Sequence, residues 1–281
     1  MSGPRGLPNV GNTCFLNAAL QVFACMFGPS SVHVDGEMER WVRWWADRAG
    51  PAYTRGRQDD AQSVLAALFE ARSGSGSGDA YDDRIEYGQA CEFQTARTYA
   101  CAHGCARILN RATERFLVLA LPNPPQMGSC SGSASCTWHL ADLVAGWLAD
   151  CRQPVATTEA CPDHGAPLKG GAQVLTLPPP RFWVVHVQRY AAAGNMHHKR
   201  QDRIVWPLEW QDRGWGGQPY TLCAGLVHHG GSMDSGHYTA VVRDREGDQW
   251  WWCNDAVVHR LTRETALEIL GDAYVAVYRR F

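Results

Sequence analysis

The sequence has no uninterrupted apolar run near the roughly 20 residues that a membrane-spanning helix needs, so no membrane partner is expected. It has no excess of charge of either sign: 26 Lys and Arg stand against 28 Asp and Glu, a formal net charge of -2. A chain this balanced carries no basic footprint for nucleic acid, and none is expected as a partner. The first residues, MSGPRGLPN, lack an apolar signal core. No segment repeats at a fixed period, which argues against a solenoid or propeller. Eleven cysteines, an odd number without an export signal, do not read as a disulfide framework. They read as nucleophile, metal ligands and core filler in a reducing compartment, cytoplasmic, nuclear or both. Against these absences stand 281 residues, 45% of them hydrophobic, with 12 tryptophans. That is ample for a packed core in one large domain or two small ones.

Residues 6–21, GLPNVGNTCFLNAALQ, carry the strongest signal. A turn rich in Gly and Asn precedes Cys14, and a helical pattern follows it, with Phe15, Leu16, Ala19, Leu20, Val22, Phe23 and Met26 at a 3.6-residue period. Asn12 or Thr13 can cap the start, and Gly28-Pro29 ends it. The thiol then sits in the first helical turn. There, free N–H groups and the helix dipole favour an anion and are expected to draw its pKa below the ordinary value.

Two more helices are expected at 37–49 and 59–71, followed by SGSGSGD at 73–79, which has the composition of a flexible linker. From residue 85 onward short β-rich segments take over, at 115–121, 181–190, 219–228, 237–243, 249–253 and 273–280, with a Gly/Ser/Cys-rich loop at 128–136 and a helix at 138–150 between the first two. Helices first and strands later predict an α+β domain, a helical part facing an antiparallel β part.

A cysteine nucleophile needs a base, and the base needs an orienting group. His237, in SGHYTAVVRD, opens a strand after the Gly-rich loop HHGGSMDSG. Asn254 and Asp255, in WWWCNDAVV, end the next strand. A hairpin turning at DREGD brings these ends within side-chain reach of each other.

GLPNVGNTCFLNAALQ together with GHYTAVVRD and WWWCNDAVV resembles the Cys and His boxes of the ubiquitin-specific proteases, cysteine deubiquitinases with a papain-like centre. RQDDAQSVLAALFE (57–70), LTLPPPRFWVVHVQRY (175–190) and IVWPLEW (204–210) are similar to further segments of that family, so the resemblance runs from residue 6 to about 278. It implies one catalytic domain, with a helical thumb over about 1–90, β-rich fingers over about 91–175 together with the first palm strands, and a β-rich palm over about 176–281. It implies a monomer that hydrolyses the isopeptide or peptide bond after the C-terminal Gly of ubiquitin through an acyl-enzyme on Cys14. His237 matches the general base, Asn254 the third triad member, Asp255 an adjacent acid able to share that role, and Asn9 the amide that donates to the oxyanion. Asp60 matches the acid that holds the arginines of the ubiquitin tail, with Gln58 beside it; Asp59 reads as a solvated acid at a helix start. Ser235, Gly236 and Tyr238 match the walls of a narrow channel for a Gly-Gly tail. Ser63 departs from the pattern, standing where an acid is common.

The family often carries two CxxC pairs on its fingers. Here those places read CAHGC (101–105) and CPDH (161–164), so Cys101, Cys105, Cys161 and His164 would make a Cys3His site for structural zinc, with His103 as a substitute for Cys105. Catalysis itself needs no cofactor. Two rival readings keep the same residues: a protease for another ubiquitin-like protein, and a ubiquitin-binding module without catalysis.

Overall fold

Helix α1 (Cys14–Phe27) runs through the interior of the molecule. The sequence suggests one apolar face, yet every residue from Cys14 to Phe23 is buried, because the helix is covered on both sides. Helix α3 (Ala61–Glu70) packs on one side, and strands β11 (Tyr220–His229) and β12 (His237–Arg243) pack on the other. Gly28 stops α1 at φ +102° with its N–H on the Ala24 carbonyl, the turn a glycine makes without strain. Helix α2 (Met38–Ala49) closes the helical layer through Met38, Val42 and Trp45. The coordinates, a computed structural model, describe residues 3–32, 38–71, 87–122, 136–153, 157–176, 179–193, 196–211, 217–231, 235–245 and 248–280. The 73–79 segment and most of the 128–136 loop lie outside these residues.

The central sheet adds β13 (Trp250–Asn254), β14 (Val257–Leu261), β15 (Ala273–Arg280), β6 (Phe182–Gln188) and β3 (Leu117–Ala120) to β11 and β12. Its order is β14-β13-β12-β11-β15-β6-β3, with β10 (Glu209–Trp210) paired to β11. Neighbours are antiparallel except the β3–β6 pair. Alternate side chains of β6 feed two cores. Phe182 and Val184 face the layer of α1 and α3, while Trp183, Val185 and Val187 join α4 (Leu140–Cys151) and α5 (Arg263–Leu270). Burial on both faces explains why these strands read as continuous apolar runs, and each fully buried Leu, Val or Phe contributes roughly 1.5–3 kcal/mol. A buried cation ties this sheet together: Arg189 donates to the carbonyls of Ala273, Gly271 and Asp202, and burial pulls its pKa down to about 10.

A separate three-stranded sheet, β2-β1-β5, consists of β1 (Phe93–Ala100), β2 (Ala106–Glu114) and β5 (Lys169–Thr176). It was not legible in the sequence, since FQTARTYA and KGGAQVLT mix polar, small and glycine residues. The short pairs β4 (Thr137–His139) with β9 (Arg203–Val205), and β7 (Tyr190–Ala193) with β8 (Met196–Lys199), and helix α5 were also missed. Helix α5 has only Ala266 and Leu270 buried, too few to set up a period, although Thr262 caps it by accepting from the Thr265 N–H at 3.2 Å.

Candidate active site

The expected hairpin is present: β12 and β13 pair with Ala240 opposite Cys253 and Arg243 opposite Trp250. This register carries His237, at the start of β12, and Asn254, at the end of β13, to the same end of the sheet. His237 Nε2–H donates to Asn254 Oδ1 at 2.6 Å, which leaves Nδ1 as the ring's basic nitrogen. Because α1 packs along β12, its first turn sets the Cys14 sulfur beside the backbone amide of Tyr238, one residue from the imidazole.

The thiol does not behave as the helix terminus alone suggests. Burial pushes its pKa up and outweighs the amides of Tyr238, Phe15 and Cys14, which favour the thiolate; the Asp255 carboxylate adds to the rise. The resting group is a neutral thiol. Nor does the expected cap form: Thr13 is the N-cap residue without a side-chain cap bond, and Asn9 Oδ1 accepts from the Thr13 and Gly11 N–H groups instead.

Asp255 sits in the two-residue turn between β13 and β14, at φ +51°, a strained conformation for a non-glycine residue that aspartate tolerates better than most. Asn9 Nδ2 donates to its Oδ2 at 2.9 Å and Asn17 Nδ2 to its Oδ1 at 2.7 Å, while His237 Nε2 lies 3.9 Å away. Asp255 is therefore a hub: it fixes the Asn9 amide expected at the oxyanion, keeps one oxygen near the imidazole and anchors the turn. Asn9 has one further N–H to offer.

Asn17 was missed by sequence reasoning, though a signal was available. Cys14, Asn17 and Gln21 form one stripe of α1, and two amides on a buried stripe demand partners. Asn17 also donates to the Leu7 and Pro8 carbonyls, and Gln21 donates to Arg5 O at 2.6 Å. Together they clamp residues 5–8 between α1 and the β13–β14 turn. A side chain at Gly6 would collide with the Ala256 carbonyl there.

The groups expected to bind substrate divide. Asp60 is the N-cap of α3, accepting from the Ser63 N–H at 2.9 Å, and its other oxygen accepts from Tyr274 OH at 3.1 Å. Asp59 is no free solvated acid, because it accepts from Trp45 Nε1 at 3.0 Å. Gln58 keeps a buried Nε2 without a partner among the described residues, a spare donor beside Asp60. Ser235 and Gly236 are exposed at the crevice rim. Tyr238 is 5% exposed, its ring packed between His228 and Tyr274, so only its backbone faces Cys14. Behind Gly236 lies His228, 3% exposed, with Nδ1 on Tyr190 OH at 3.1 Å and Nε2 without a partner among the described residues; a side chain at Gly236 would strike it.

At the tip of the small sheet, Cys101 and Cys105 on the β1–β2 turn meet Cys161 and His164. His164 Nδ1 lies 3.4, 3.6 and 3.8 Å from the sulfurs of Cys105, Cys161 and Cys101, and the four ligand atoms fall within 4.8 Å of one another. A tetrahedral ion with metal–sulfur bonds of about 2.3 Å spaces its ligands roughly 3.5–3.8 Å apart, so the residues fit a metal. Without one the sulfurs compete for protons: the hydrogen bond from His164 draws Cys161 down to about 6, and that with Cys101 pushes Cys105 up to about 11. His103 does not replace Cys105. Its ring stacks on His164 at 4.5 Å, and its N–H donates to Cys101 Sγ at 3.4 Å.

A thiol at a helix start, an imidazole one residue from the amide that meets it and an Asn side chain bonded to the imidazole make an arrangement suited to a thiol hydrolase, here set on an α+β scaffold. A family model described as ubiquitin carboxyl-terminal hydrolase matches residues 40–278. The chain belongs to that family. Mouse ubiquitin carboxyl-terminal hydrolase 51 is 25% identical over 348 residues, spanning 99% of this chain and 51% of its own length. Human ubiquitin carboxyl-terminal hydrolase 22 is 22% identical over 350 residues, with 99% and 66% covered. The chain thus spans about half to two thirds of these curated relatives. Among solved structures, the Ubp8/Sgf11/Sus1/Sgf73 deubiquitinating module of SAGA bound to monoubiquitin matches with a TM-score of 0.70 at 16% identity, covering 99% of this chain and 69% of that one. The same module bound to ubiquitin aldehyde gives 0.66 at 15% identity.

Proposed function

We propose that the chain is a thiol-dependent deubiquitinase that cleaves the isopeptide or peptide bond after the C-terminal Gly of ubiquitin. The observation that carries this reading is the 2.6 Å bond from His237 to Asn254, next to a Cys14 sulfur that meets the Tyr238 amide one residue from the imidazole. The Cys14 proton passes to His237 Nδ1 as sulfur attacks the scissile carbonyl. Asn254 holds the ring and its tautomer. The charge that builds on the carbonyl oxygen meets the second N–H of Asn9, whose orientation Asp255 fixes; one such donor contributes about 2.7–4 kcal/mol. The imidazolium gives its proton to the leaving amine, and water, deprotonated by the same nitrogen, then splits the thioester. Because burial keeps the resting thiol neutral, the thiolate forms as the bond forms.

Asp60 and Gln58 offer an anion and a spare donor to a basic substrate tail, and Gly236 keeps the channel narrow. In the fingers, Cys101, Cys105, Cys161 and His164 would hold zinc, which when bound supplies a structural cross-link and no chemistry at Cys14. Ubiquitin bound in both solved neighbours supports ubiquitin as the substrate; those neighbours also carry partner subunits, so action as a monomer is a separate proposal, tested by the mass of the active species in solution.

The test is a ubiquitin with a C-terminal electrophile. Wild type should form a covalent adduct and Cys14→Ala none, and the same probe built on other ubiquitin-like proteins should label more slowly. No adduct on wild type, or an equal adduct on Cys14→Ala, overturns the assignment.

A further inference from the structure

Outside the crevice and the metal cluster, burial holds Cys91 and Cys253 protonated, Cys253 being pushed up to about 12 with a smaller contribution from the nearby Cys25. Cys25 and Cys223 are different. Cys25 stands in the last turn of α1 and Cys223 on β11, and the two thiols are neighbours. Cys25 Sγ lies 3.4 Å from the carbonyl oxygens of Cys223 and Arg243, and Cys223 Sγ lies 3.3 Å from that of Val277. Guanidinium groups surround the pair: Arg245 donates to Cys25's own carbonyl at 3.2 Å, and Arg279 donates to Arg245 O at 3.0 Å. Cys25 is also half-buried rather than sealed, for it lines a cavity of about 540 Å³ walled by Pro4, Arg5, Leu20, Val242 and Trp251. A small solute can reach this sulfur through that cavity, at the opposite end of α1 from Cys14.

We propose that Cys25 and Cys223 form a peroxide-sensitive dithiol, a modification site separate from Cys14, that closes to a disulfide pinning the last turn of α1 to β11. The Cys25 thiolate attacks one oxygen of hydrogen peroxide; the O–O bond breaks, a sulfenic acid forms, and the departing hydroxide leaves as water with the thiol's proton. The Cys223 sulfur then attacks the sulfenic sulfur. An S–S bond forms, the S–O bond breaks, and hydroxide takes the Cys223 proton as a second water. Two thiols lose two electrons, and one peroxide is reduced to two waters.

The order of attack follows from the surroundings. Cys25 lines the cavity while Cys223 is 2% exposed, so peroxide meets Cys25 first, and the Arg279 and Arg245 charges favour its thiolate. Cys25 is therefore the attacking thiol and Cys223 the resolving one. The bond links residues 198 apart in sequence, so it restricts the unfolded chain strongly.

The experiment treats the intact chain with hydrogen peroxide and maps peptides without reductant. Wild type should yield a Cys25–Cys223 linked peptide lighter by two hydrogens, a Tm higher by roughly 5–10 °C, and reversal of both by dithiothreitol. Cys223→Ser should stop at a sulfenic acid on Cys25, trapped by dimedone. Wild-type mapping alone decides the matter if that variant does not fold. A Cys25 that stays fully alkylatable after a peroxide dose that oxidises Cys14, or one that links to a different cysteine, overturns the proposal, whatever becomes of the hydrolase assignment.

Discussion

The crevice at Cys14 and the knuckle at Cys101 both gather polar groups from distant parts of the chain, but different forces hold them there. The crevice rests on a helix buried along most of its length, on a paired sheet and on two large apolar cores, so its geometry is a by-product of packing that exists without any ligand. The knuckle rests on a three-stranded sheet whose core, among the described residues, is Tyr99, Cys101, Cys161 and Leu168, two of which belong to the candidate metal cluster. Preorganisation comes from the fold in the first case. In the second an ion would supply it, because close thiols cannot all ionise without a cation between them.

Metal removal separates the two regions most sharply. Structural zinc in small domains is coupled to about 10–16 kcal/mol of folding free energy. A strong chelator should abolish amide protection in 93–114 and 161–176 while 220–280 stays protected, measured by hydrogen exchange. Equal loss in both regions, or no loss in either, would erase the distinction.

Within the crevice, Asn254→Ala should lower kcat by about 10²–10⁴-fold, because the imidazole loses the group that fixes its tautomer. Asp255→Asn keeps hydrogen-bonding capacity in the turn but removes the anion that both Asn9 and Asn17 address, and should cost less. Steady-state turnover of a fluorogenic ubiquitin amide measures both, and an inverted order would move the orienting role to Asp255.

The same contrast governs what the sequence reveals. β12 lies at 237–243 as its pattern predicts, and α1 at 14–27, because dense apolar residues at a fixed period leave one structural solution. The small sheet stayed hidden since it buries too little to impose a period. The site divides in the same way. The meeting of His237 with Asn254 was readable from the flanking boxes and the hairpin, whereas Asp60 as a helix cap, Tyr238 as a buried ring and Asn17 as a clamp depend on which neighbour occupies the space. The thiol's raised pKa was misjudged because the helix terminus is visible in the sequence and its burial is not.

His228 offers a smaller effect inside the rigid region. Burial, then the Lys199 and His229 charges, pulls its pKa from 6.5 to about 4. The unfolded chain therefore binds a proton that the folded chain refuses, so stability is lost as pH falls from about 6.5 and the loss levels off near 4. The full amount is on the order of 2–3 kcal/mol. Denaturant midpoints between pH 7 and 4 should fall less steeply in His228→Asn than in wild type, and parallel curves would show that the ring is not held neutral by the fold.

The smallest expected effect tests the double duty of Asp60. Asparagine caps a helix about as well as aspartate, so Asp60→Asn should leave α3 and the unfolding midpoint nearly unchanged while removing the charge offered to a basic tail. A charge-assisted hydrogen bond contributes about 1.5–3 kcal/mol, but one carboxylate oxygen is already engaged by Ser63 and the other by Tyr274. The lower end applies, and KM for ubiquitin substrates should rise about 10-fold with kcat little altered. Asp60→Ala should show the same KM change together with a lowered unfolding midpoint. If both variants lose stability and neither changes KM, Asp60 is a helix cap alone, and recognition of the substrate tail falls to Gln58 and the backbone around Gly236.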